Sequence, residues 1–435
     1  MKCRFFVLIG IVCLFVAVFT TRPAQAQTFK TLYTFTGIPD GANVWNDLLL
    51  DVNGTLYGTT AVGGVYGCGT VYKLDSKGTE TVLYSFTGGA DGCLPESNVL
   101  QDWQGNLYGV ALFGGNLGAT NCIDDGGCGV VYKLDTKGNE TVLYTFTGGA
   151  DGNIPQGLNM DWAGNLYGIT LSGGNTSYPN FPPGAGVVYK LDTRGHFAVL
   201  YTFTGGADGA VPNDYLTLDL AGNIYGVTLA GGNLAHCPGC GSGTVFKLNQ
   251  RGKLTTLYTF TGLTDGSEAD GPLVLDVWGN LYGATTLGGD LTCNSGSGCG
   301  VVYKLTTAGK YSVLHTFTGT SDGAEPPMGL TGDLFGNLYG VTQWGGNSAD
   351  CPWAAPNPPG CGTVFKLDAR GHFTVLYTFT GSTDGAAPGS TPIMDWQGNL
   401  YGNTLYGGDS NCYIEPLTGF YPDGCGVVYK LKPGE

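Results

Sequence analysis

Short acidic and amide side chains recur at two kinds of position along the chain. An Asp-Gly step follows each Phe-Thr-Gly string and gives Asp40, Asp91, Asp151, Asp208, Asp265, Asp322 and Asp384. A Gly-Gly-Asn or Gly-Gly-Asp step gives Asn116, Asn175, Asn233, Asp290, Asn347 and Asp409. Carboxylate and amide oxygens suit calcium and sugar hydroxyls, so these side chains are ligand-binding candidates. The same residue types cap their own backbone in turns, and repetition favours that structural alternative.

Twelve of the 14 cysteines follow residue 26, and most have a near partner. Five close pairs are Cys122/Cys128, Cys237/Cys240, Cys293/Cys299, Cys351/Cys361 and Cys412/Cys425. Cys68 and Cys93 remain as a sixth pair that joins two successive segments. An even number of cysteines with local partners predicts disulfides in an exported chain. Each bond should rigidify its loop more than it stabilises the whole fold.

One pair belongs to the string His236-Cys237-Pro238-Gly239-Cys240, which has two other interpretations. A thioredoxin-like redox pair opens a helix after a strand, and no helical pattern follows this string. A zinc site needs a fourth ligand and usually a second cysteine pair. We therefore favour a loop disulfide and assign no metal ligand.

Combinations of side chains that could perform catalysis are scarce. The four histidines are His196, His236, His315 and His372. They fall at different places in the repeat described below, so a Ser-His-Asp arrangement has no candidate base. Paired carboxylates for glycoside cleavage stay open, for example Asp124 or Asp125 with a neighbouring Asp-Gly aspartate. We assign no catalytic residue.

Aromatic residues in the cysteine-bounded loops are further candidates for ligand contact. Trp353 lies between Cys351 and Cys361, whereas Tyr413 and Tyr421 lie between Cys412 and Cys425. A rigid aromatic side chain can anchor a ligand. Packing within the loop itself is the alternative.

These candidates are set in a sevenfold repeat. The string D-x-x-G-[NT]-[LI]-Y-G occurs seven times, with its tyrosine at Tyr57, Tyr108, Tyr167, Tyr225, Tyr282, Tyr339 and Tyr401. The strings V-[YF]-K-L and L-[YH]-[TS]-F-T-G recur in step with it. Repeats of this length are typical of propellers, solenoids and arrays. The aspartate and glycine of D-x-x-G suit a tight turn, and we expect the tyrosines to pack between repeats.

Each unit contains four short apolar strands, which predicts an all-β protein built of four-stranded blades. Residues 27–435 begin with a lone fourth strand and stop after a third strand, and these fragments complete one blade. We therefore predict a single domain, a seven-bladed β-propeller closed by its N-terminal strand. We call the side with the first-to-second and third-to-fourth turns the short-turn face. The side with the second-to-third loops and the blade-to-blade connectors is the loop-rich face, where we expect function.

The recurring GNLYG, VYKL and LYTFTG strings resemble the GloVer (Gloeo/Verruco) tandem-repeat family of exported bacterial proteins. The resemblance covers essentially all of the chain after residue 26 and implies a repeat fold and export. It brings no established activity to these residues. Many relatives have a C-terminal surface anchor, which this sequence lacks.

Residues 1–26 have the charged, apolar and small-residue order of a signal peptide. We expect a secreted or periplasmic protein, with no membrane span after cleavage. The sequence has 34 acidic and 19 basic residues, of which three bases lie in residues 1–26. Such an acidic chain is a poor partner for nucleic acid and anionic membranes.

Taken together, the repeats and stapled loops favour a monomeric binding or interaction scaffold for a glycan or a surface protein. No cofactor is required, although calcium is possible at the carboxylates. The alternative is a lyase or hydrolase that cleaves a polysaccharide or cyclic ester at the central channel. That alternative requires a cluster of acids outside the repeat pattern at the mouth of the channel.

Overall fold

Each repeat forms one antiparallel sheet because its four strands are joined by tight turns and loops. The computed structural model describes residues 27–44, 46–119, 122, 126–175, 184–233, 241–346, 351, 359–409, 411–412 and 424–434. Seven four-stranded blades are arranged in a ring, as the sequence predicts. Apart from a three-residue 3-10 turn at Asn294–Gly296, the described residues form strands, turns and loops.

The strands are numbered in chain order. The first is β1 (Thr28–Thr34), and blade 1 contains β2 (Leu49–Leu50), β3 (Leu56–Thr60), β4 (Thr70–Leu74) and β5 (Glu80–Ser85). Blade 2 contains β6 (Leu100–Gln101), β7 (Leu107–Ala111), β8 (Val130–Leu134) and β9 (Glu140–Thr145), and blade 3 contains β10 (Asn153–Met160), β11 (Leu166–Ser172), β12 (Val187–Leu191) and β13 (Phe197–Thr202). Blade 4 contains β14 (Ala210–Leu218), β15 (Ile224–Ala230), β16 (Thr244–Leu248) and β17 (Leu254–Thr259).

Blade 5 contains β18 (Ser267–Leu275), β19 (Leu281–Leu287), β20 (Val301–Leu305) and β21 (Tyr311–Thr316). Blade 6 contains β22 (Thr331–Gly332), β23 (Leu338–Thr342), β24 (Thr363–Leu367) and β25 (Phe373–Thr378). Blade 7 contains β26 (Ala386–Pro388), β27 (Ile393–Met394), β28 (Leu400–Tyr406) and β29 (Val427–Lys432), and β1 is its outer strand. None of the described residues forms a helix long and apolar enough to span a bilayer.

Ring closure depends on the pairing of β1 with β29, which is antiparallel. Thr28 lies opposite Lys432, and Thr34 lies opposite Val427. The first described strand therefore completes the last sheet. This pairing confirms the closure predicted from the two chain ends and covers an edge that would otherwise be exposed.

The core consists of seven hydrophobic clusters, one at each boundary between blades. At every boundary the phenylalanine after a fourth strand meets an aromatic ring of the next blade's third strand edge-on. In the pair Phe86–Tyr132, for example, the ring centroids are 5.0 Å apart and both side chains are fully buried. Tyr108 of the LYG string also packs against the cluster between its own blade and the next, as expected. Such edge-to-face contacts stabilise the boundaries beyond simple burial.

The glycine of the LYG string is required by this packing. The ring of the third-strand tyrosine lies across it, and a Cβ on Gly402 would be 2.5 Å from the hydroxyl oxygen of Tyr429. Any larger residue would displace the tyrosine from the core. The string therefore recurs because both of its last two residues contribute to blade packing.

The innermost first strands are less regular than the repeat predicts. In blades 1, 2 and 6 the paired segment is only two residues long, and in blade 7 it is divided into β26 and β27. In every blade, one residue near the start of this strand has a left-handed backbone: Asn43, Leu94, Ile154, Val211, Glu268, Glu325 and Ala387. The N–H of Ile154 donates to the carbonyl of Cys128 in the preceding blade at 3.2 Å. Hydrogen bonds of this kind between blades hold an unfavourable backbone conformation in place.

Candidate functional site

The D-x-x-G turns have the structural role expected of them. Asp102 accepts backbone hydrogen bonds from Gln104 and Asn106, both at 2.9 Å, and a third from the Tyr108 hydroxyl at 3.0 Å. Gly105 has a φ of 87°, which an L side chain rarely adopts. The duplicated string DWQGNLYG is therefore explained by architecture.

The strand-three lysines also belong to the scaffold. In six blades the ammonium group lies over the ring of the LYG tyrosine, at 4.9 to 5.7 Å from the centroid. These are cation–π contacts made by lysines whose stems pack along the sheet. The lysines therefore do not form a basic site.

The connector aspartates are engaged in local hydrogen bonds. Asp91 accepts from the Tyr84 hydroxyl at 3.0 Å, and from the backbone N–H and hydroxyl of Thr87 at 2.7 and 2.5 Å. The same arrangement holds at Asp40, Asp151, Asp208, Asp265 and Asp384, and at Asp322 a histidine, His315, replaces the tyrosine. These contacts support the structural interpretation of the set. Their role in ligand binding stays a prediction.

The second polar set is only partly within the described residues. Asp290 accepts from the backbone N–H and hydroxyl of Thr292 at 2.9 and 2.7 Å, and Asp409 accepts from the backbone N–H of Asn411 at 2.9 Å. Asn116, Asn175 and Asn233 begin second-to-third loops on the loop-rich face. Several candidates lie outside the described residues: Asn347, Trp353, Tyr413, Tyr421, Asp124, Asp125 and His236.

Five of the six predicted disulfides are present. Cys68–Cys93 joins the second-to-third loop of blade 1 to the next connector, as expected. The pairs Cys122–Cys128, Cys293–Cys299, Cys351–Cys361 and Cys412–Cys425 each close a single loop. Cys237 and Cys240 lie outside the described residues. Disulfides therefore cross-link four loops of the loop-rich face and one boundary between blades.

A group of carboxylates that we did not predict from the sequence lines the central channel. They lie on the innermost segments of five blades: Asp47 in blade 1, Glu96 in blade 2, Asp214 in blade 4, Glu268 and Asp270 in blade 5, and Glu325 in blade 6. Each occupies a position that is not acidic in most other blades, so the group does not follow the repeat. Burial raises the pKa of all six groups, and it is the first cause in each case.

Asp214 and Asp270 form the most buried part of this group. Asp214 is only 6% exposed, and its Oδ2 atom has no hydrogen-bond donor within the protein. Burial and the adjacent Asp270 carboxylate hold the pKa of Asp214 well above its usual range. The Asn213 side chain donates to Asp270 at 2.6 Å and favours the ionised form of that residue. Asp214 therefore holds a proton more strongly than Asp270 does.

Tyr215 closes the channel beside this pair. Its hydroxyl accepts a hydrogen bond from the backbone N–H of Asn98 in blade 2 at 3.0 Å. Its ring packs over Gly157, where a Cβ would be 2.7 Å from the Cε1 atom. Asp47 lies at the same level, accepts from the backbone N–H of Thr391 at 2.7 Å, and has its pKa raised to about 7 by burial.

The innermost segment of each blade runs from the loop-rich face to the short-turn face. Glu268 and Glu325 come early in these segments, so they lie nearer the loop-rich face. Glu325 accepts from the Asn294 side chain at 2.6 Å. Burial, followed by the negative charge of Glu268, raises the pKa of Glu325 to about 6. The negative charge of Asp270 likewise raises the pKa of Glu268 after burial. The mouth of the channel is therefore a region of mutual carboxylate repulsion.

Basic residues are confined to one side of the ring, where they lie among the turn aspartates. Every lysine and arginine after residue 26 lies toward the short-turn face, on third and fourth strands or in the turns between them. The described part of the loop-rich half contains carboxylates and no lysine or arginine. Within the described residues, no cationic side chain forms an ion pair with a channel carboxylate. In the same part of the chain, no three His, Cys, Asp or Glu side chains are arranged to hold a metal ion.

The protein is a closed seven-bladed β-propeller with aromatic contacts at its blade boundaries and carboxylates along its central channel. The chain belongs to the Gloeobacter/Verrucomicrobia repeat family, whose model matches residues 17–181, 117–350 and 180–414. No curated protein sequence matches the chain.

Solved propellers share the fold at low sequence identity. A catalytically inactive virginiamycin B lyase from Staphylococcus aureus, crystallised with quinupristin, is 11% identical with a TM-score of 0.55, and the match covers 93% of this chain and 99% of the lyase. The extracellular domain of a putative one component system from B. thetaiotaomicron is 12% identical with a TM-score of 0.52, over 94% of this chain and 42% of that one. The disulfides agree with an extracellular location. At this identity the similarity indicates fold alone.

Proposed function

We propose that this protein is an extracellular binding propeller whose loop-rich face captures a ligand that carries ammonium or guanidinium groups. The observation that carries the proposal is the cluster of Glu268, Asp270 and Glu325 at the channel mouth, in a half-molecule without described lysine or arginine. A ligand cation would stabilise the ionised forms of these carboxylates, whose pKa values are raised by burial and, at Glu268 and Glu325, also by a neighbouring negative charge.

The proposal has a distinctive pH signature. Binding of a cation favours the ionised carboxylates, so complex formation should release protons between pH 5 and 7. Affinity should rise with pH over that interval and fall with added salt. A neutral ligand held by hydrogen bonds alone would show neither dependence.

Calorimetry of the exported chain, residues 27–435, can test this. Two probes carry the same ammonium group, a lysine-rich peptide and a chitosan oligosaccharide, and an N-acetylated chitin oligosaccharide is the neutral match. The double variant Glu268→Gln/Glu325→Gln should weaken binding of the amine probe about tenfold or more, and Glu80→Gln on the short-turn side should not. Equal binding of the acetylated and free-amine sugars, or an unaffected double variant, would reject the proposal.

A second candidate function rests on the Asp214–Asp270 pair. Two carboxyl groups that share a proton can act as general acid and general base, and the Tyr215 hydroxyl lies beside them. This arrangement favours the alternative of a hydrolase or lyase for a polysaccharide or cyclic ester. It satisfies the requirement for acids outside the repeat pattern, which the sequence analysis set for that alternative.

Turnover assays on polysaccharide and lactone panels separate the two candidates. Asp214→Asn and Asp270→Asn should each reduce any turnover by about 100-fold or more, whereas Asp290→Asn on a nearby loop should leave it unchanged. Amine binding without any turnover supports the binding function alone. Turnover that survives both substitutions would reject the catalytic candidate.

A further inference from the structure

The short-turn face presents one fully exposed apolar side chain from every blade. Each is the first residue after the aspartate of a D-x-x-G turn: Val52, Trp103, Trp162, Leu220, Val277, Leu334 and Trp396. Their exposed fractions are between 91 and 102%. The next residue is also apolar and exposed in two blades, at Trp278 and Phe335. We call these nine side chains the apolar crown.

Turn geometry does not require apolar residues at these tips, as the third-to-fourth turns demonstrate. The turn at Asp75 has the same hydrogen bonds as the turn at Asp102, with Asp75 accepting from Lys77 and Thr79 at 2.9 and 2.8 Å. At the tip position, however, the third-to-fourth turns have Ser76, Thr136, Thr193, Gln250, Thr307 and Ala369. The same turn is therefore built with polar or small tips elsewhere in the chain. The exposed apolar side chains of the crown lower solubility, and the turns do not need them for their structure.

A second ring of opposite character surrounds the crown. The third-to-fourth turns lie outside the first-to-second turns because first strands are innermost in each blade. They present exposed bases next to their tips: Lys77, Lys137, Arg194, Arg251 and Arg370. The turn aspartates point back into the turn and bind its backbone N–H groups. Apolar and basic side chains therefore project furthest from this face.

A groove between blades 3 and 4 opens on the same face. It has a volume of about 770 Å³ and is lined by Trp162 and Leu220 of the crown together with Lys190. Asp161 and Asp219 also line the groove, so its charged lining is mixed and its apolar rim is what it shares with the crown.

We propose that the short-turn face docks on the surface of an anionic lipid bilayer. The crown inserts into the interfacial region, where tryptophan is the favoured side chain, and the outer bases contact headgroup phosphates. Charge complementarity selects this partner, because the outer bases are exposed whereas the aspartates of their turns are held in hydrogen bonds to the turn backbone. The loop-rich face then points away from the membrane and stays open to its ligand.

Two other occupants fit the crown less well. Sugars stack on flat aromatic rings, and Val52, Leu220, Val277 and Leu334 have none. A protein partner needs a continuous complementary surface, whereas these tips stand on separate turns around a ring. Separate tips can each enter a fluid lipid interface without a matching shape.

Vesicle flotation of residues 27–435 tests the proposal, because the propeller lies entirely within those residues. The protein should float with vesicles of phosphatidylcholine and phosphatidylglycerol at least tenfold more than with phosphatidylcholine alone, and salt should reduce the difference. Tryptophan emission should shift to shorter wavelength on binding, since Trp103, Trp162, Trp278 and Trp396 would leave water.

Matched variants then locate the contact. Substitution of Trp103, Trp162 and Trp396 by serine should reduce binding at least tenfold without loss of folded structure, because these side chains are fully exposed. Lys77→Gln/Lys137→Gln/Arg370→Gln should weaken the preference for the anionic vesicles. The control Val65→Ser/Tyr66→Ser/Leu117→Ser removes exposed apolar groups from the loop-rich face and should bind as the wild type does. Undiminished flotation of the triple serine variant, or no flotation of the wild type, would overturn the proposal.

Discussion

The hydroxyl of Tyr215 in blade 4 accepts a hydrogen bond of 3.0 Å from the backbone N–H of Asn98 in blade 2. This hydrogen bond connects blade 4 to blade 2, which are not neighbours in the ring. Since Tyr215 is 5% exposed, the contact is shielded from water.

Truncation of this side chain should destabilise the propeller, and a larger truncation should destabilise it more. Tyr215→Phe leaves the N–H group of Asn98 without this acceptor and should lower the free energy of unfolding by about 1 to 3 kcal/mol. Tyr215→Ala also leaves a cavity over Gly157 and should cost about 3 to 5 kcal/mol. Urea unfolding measures both changes, with the exposed Tyr66→Phe as control. A Phe variant as stable as the wild type would show that the hydrogen bond contributes nothing.

Stability should decrease as pH rises from about 5 to 8. Burial raises the pKa values of Asp47, Glu96, Glu80 and Glu140, each to about 7. The folded state therefore binds more protons than the unfolded state in this interval, and ionisation favours unfolding. For Asp47 the effect is of the order of 2 to 4 kcal/mol.

Thermal melting at a series of pH values checks this dependence. Asp47→Asn and Glu96→Gln should each flatten the profile and raise the melting temperature at pH 8. Asp102 and Asp161, whose pKa values are lowered by their hydrogen bonds despite burial, titrate below this interval. A wild-type profile that rises toward pH 8 would contradict the burial of the channel acids.

The Cys68–Cys93 disulfide should stabilise the fold more than the bonds within single loops. It closes 25 residues, and Cys122–Cys128 closes six. Loop-closure entropy predicts losses of about 3 kcal/mol for Cys68→Ser/Cys93→Ser and about 2 kcal/mol for Cys122→Ser/Cys128→Ser. Full reduction should loosen the loop-rich face first and leave the blades folded, since their packing does not use the cysteines.

Non-reducing peptide mapping and hydrogen exchange test these expectations. We expect six disulfides and no free thiol, including Cys237 with Cys240. A Cys68 peptide linked to any cysteine other than Cys93 would contradict the blade order. Loss of exchange protection in the third strands on reduction would contradict the independence of the core.

Removal of a connector aspartate should weaken its blade boundary. Asp151 accepts from the Tyr144 hydroxyl at 3.0 Å, and from the backbone N–H and hydroxyl of Thr147 at 2.9 and 2.6 Å. Asp151→Ala should therefore cost about 1.5 to 3 kcal/mol, and the exposed Ser76→Ala less than about 0.5 kcal/mol. If Asp151→Ala instead left stability unchanged and weakened ligand binding, the ligand-binding interpretation of this set would gain support.

The repeat could be predicted from sequence because the residues that form it recur in every blade. Every blade boundary needs the residues that correspond to Phe86, Tyr132 and the LYG glycine, so the strings that contain them recur in the sequence. The channel carboxylates were missed because each occurs in one or two blades only, within first strands that have little regular pattern. Their proximity is a property of the closed ring, since Asp47 and Asp214 lie three blades apart in sequence.

One signal could have located part of the group. When the seven units are aligned on D-x-x-G, Asp47 stands four residues and Asp214 five residues before the turn aspartate, where other blades have mostly small or uncharged residues. The apolar crown was equally visible in strings such as DWQG and DWAG. We interpreted those strings only as turns, because the aspartate and glycine explain the backbone and the exposed tip does not affect it.

The pairing of β1 with β29 also governs the order of events during biosynthesis. Residues 28–34 emerge from the ribosome before every other strand of the ring, yet their partners at 427–432 emerge after all the others. A nascent chain can assemble blades 1 to 6 in succession but cannot complete blade 7 until β29 has been synthesised. Until then β1 is an unpaired strand, open to chaperones and to pairing with other chains. Termination before β29 would thus release an open ring with two free edges instead of a slightly shorter propeller.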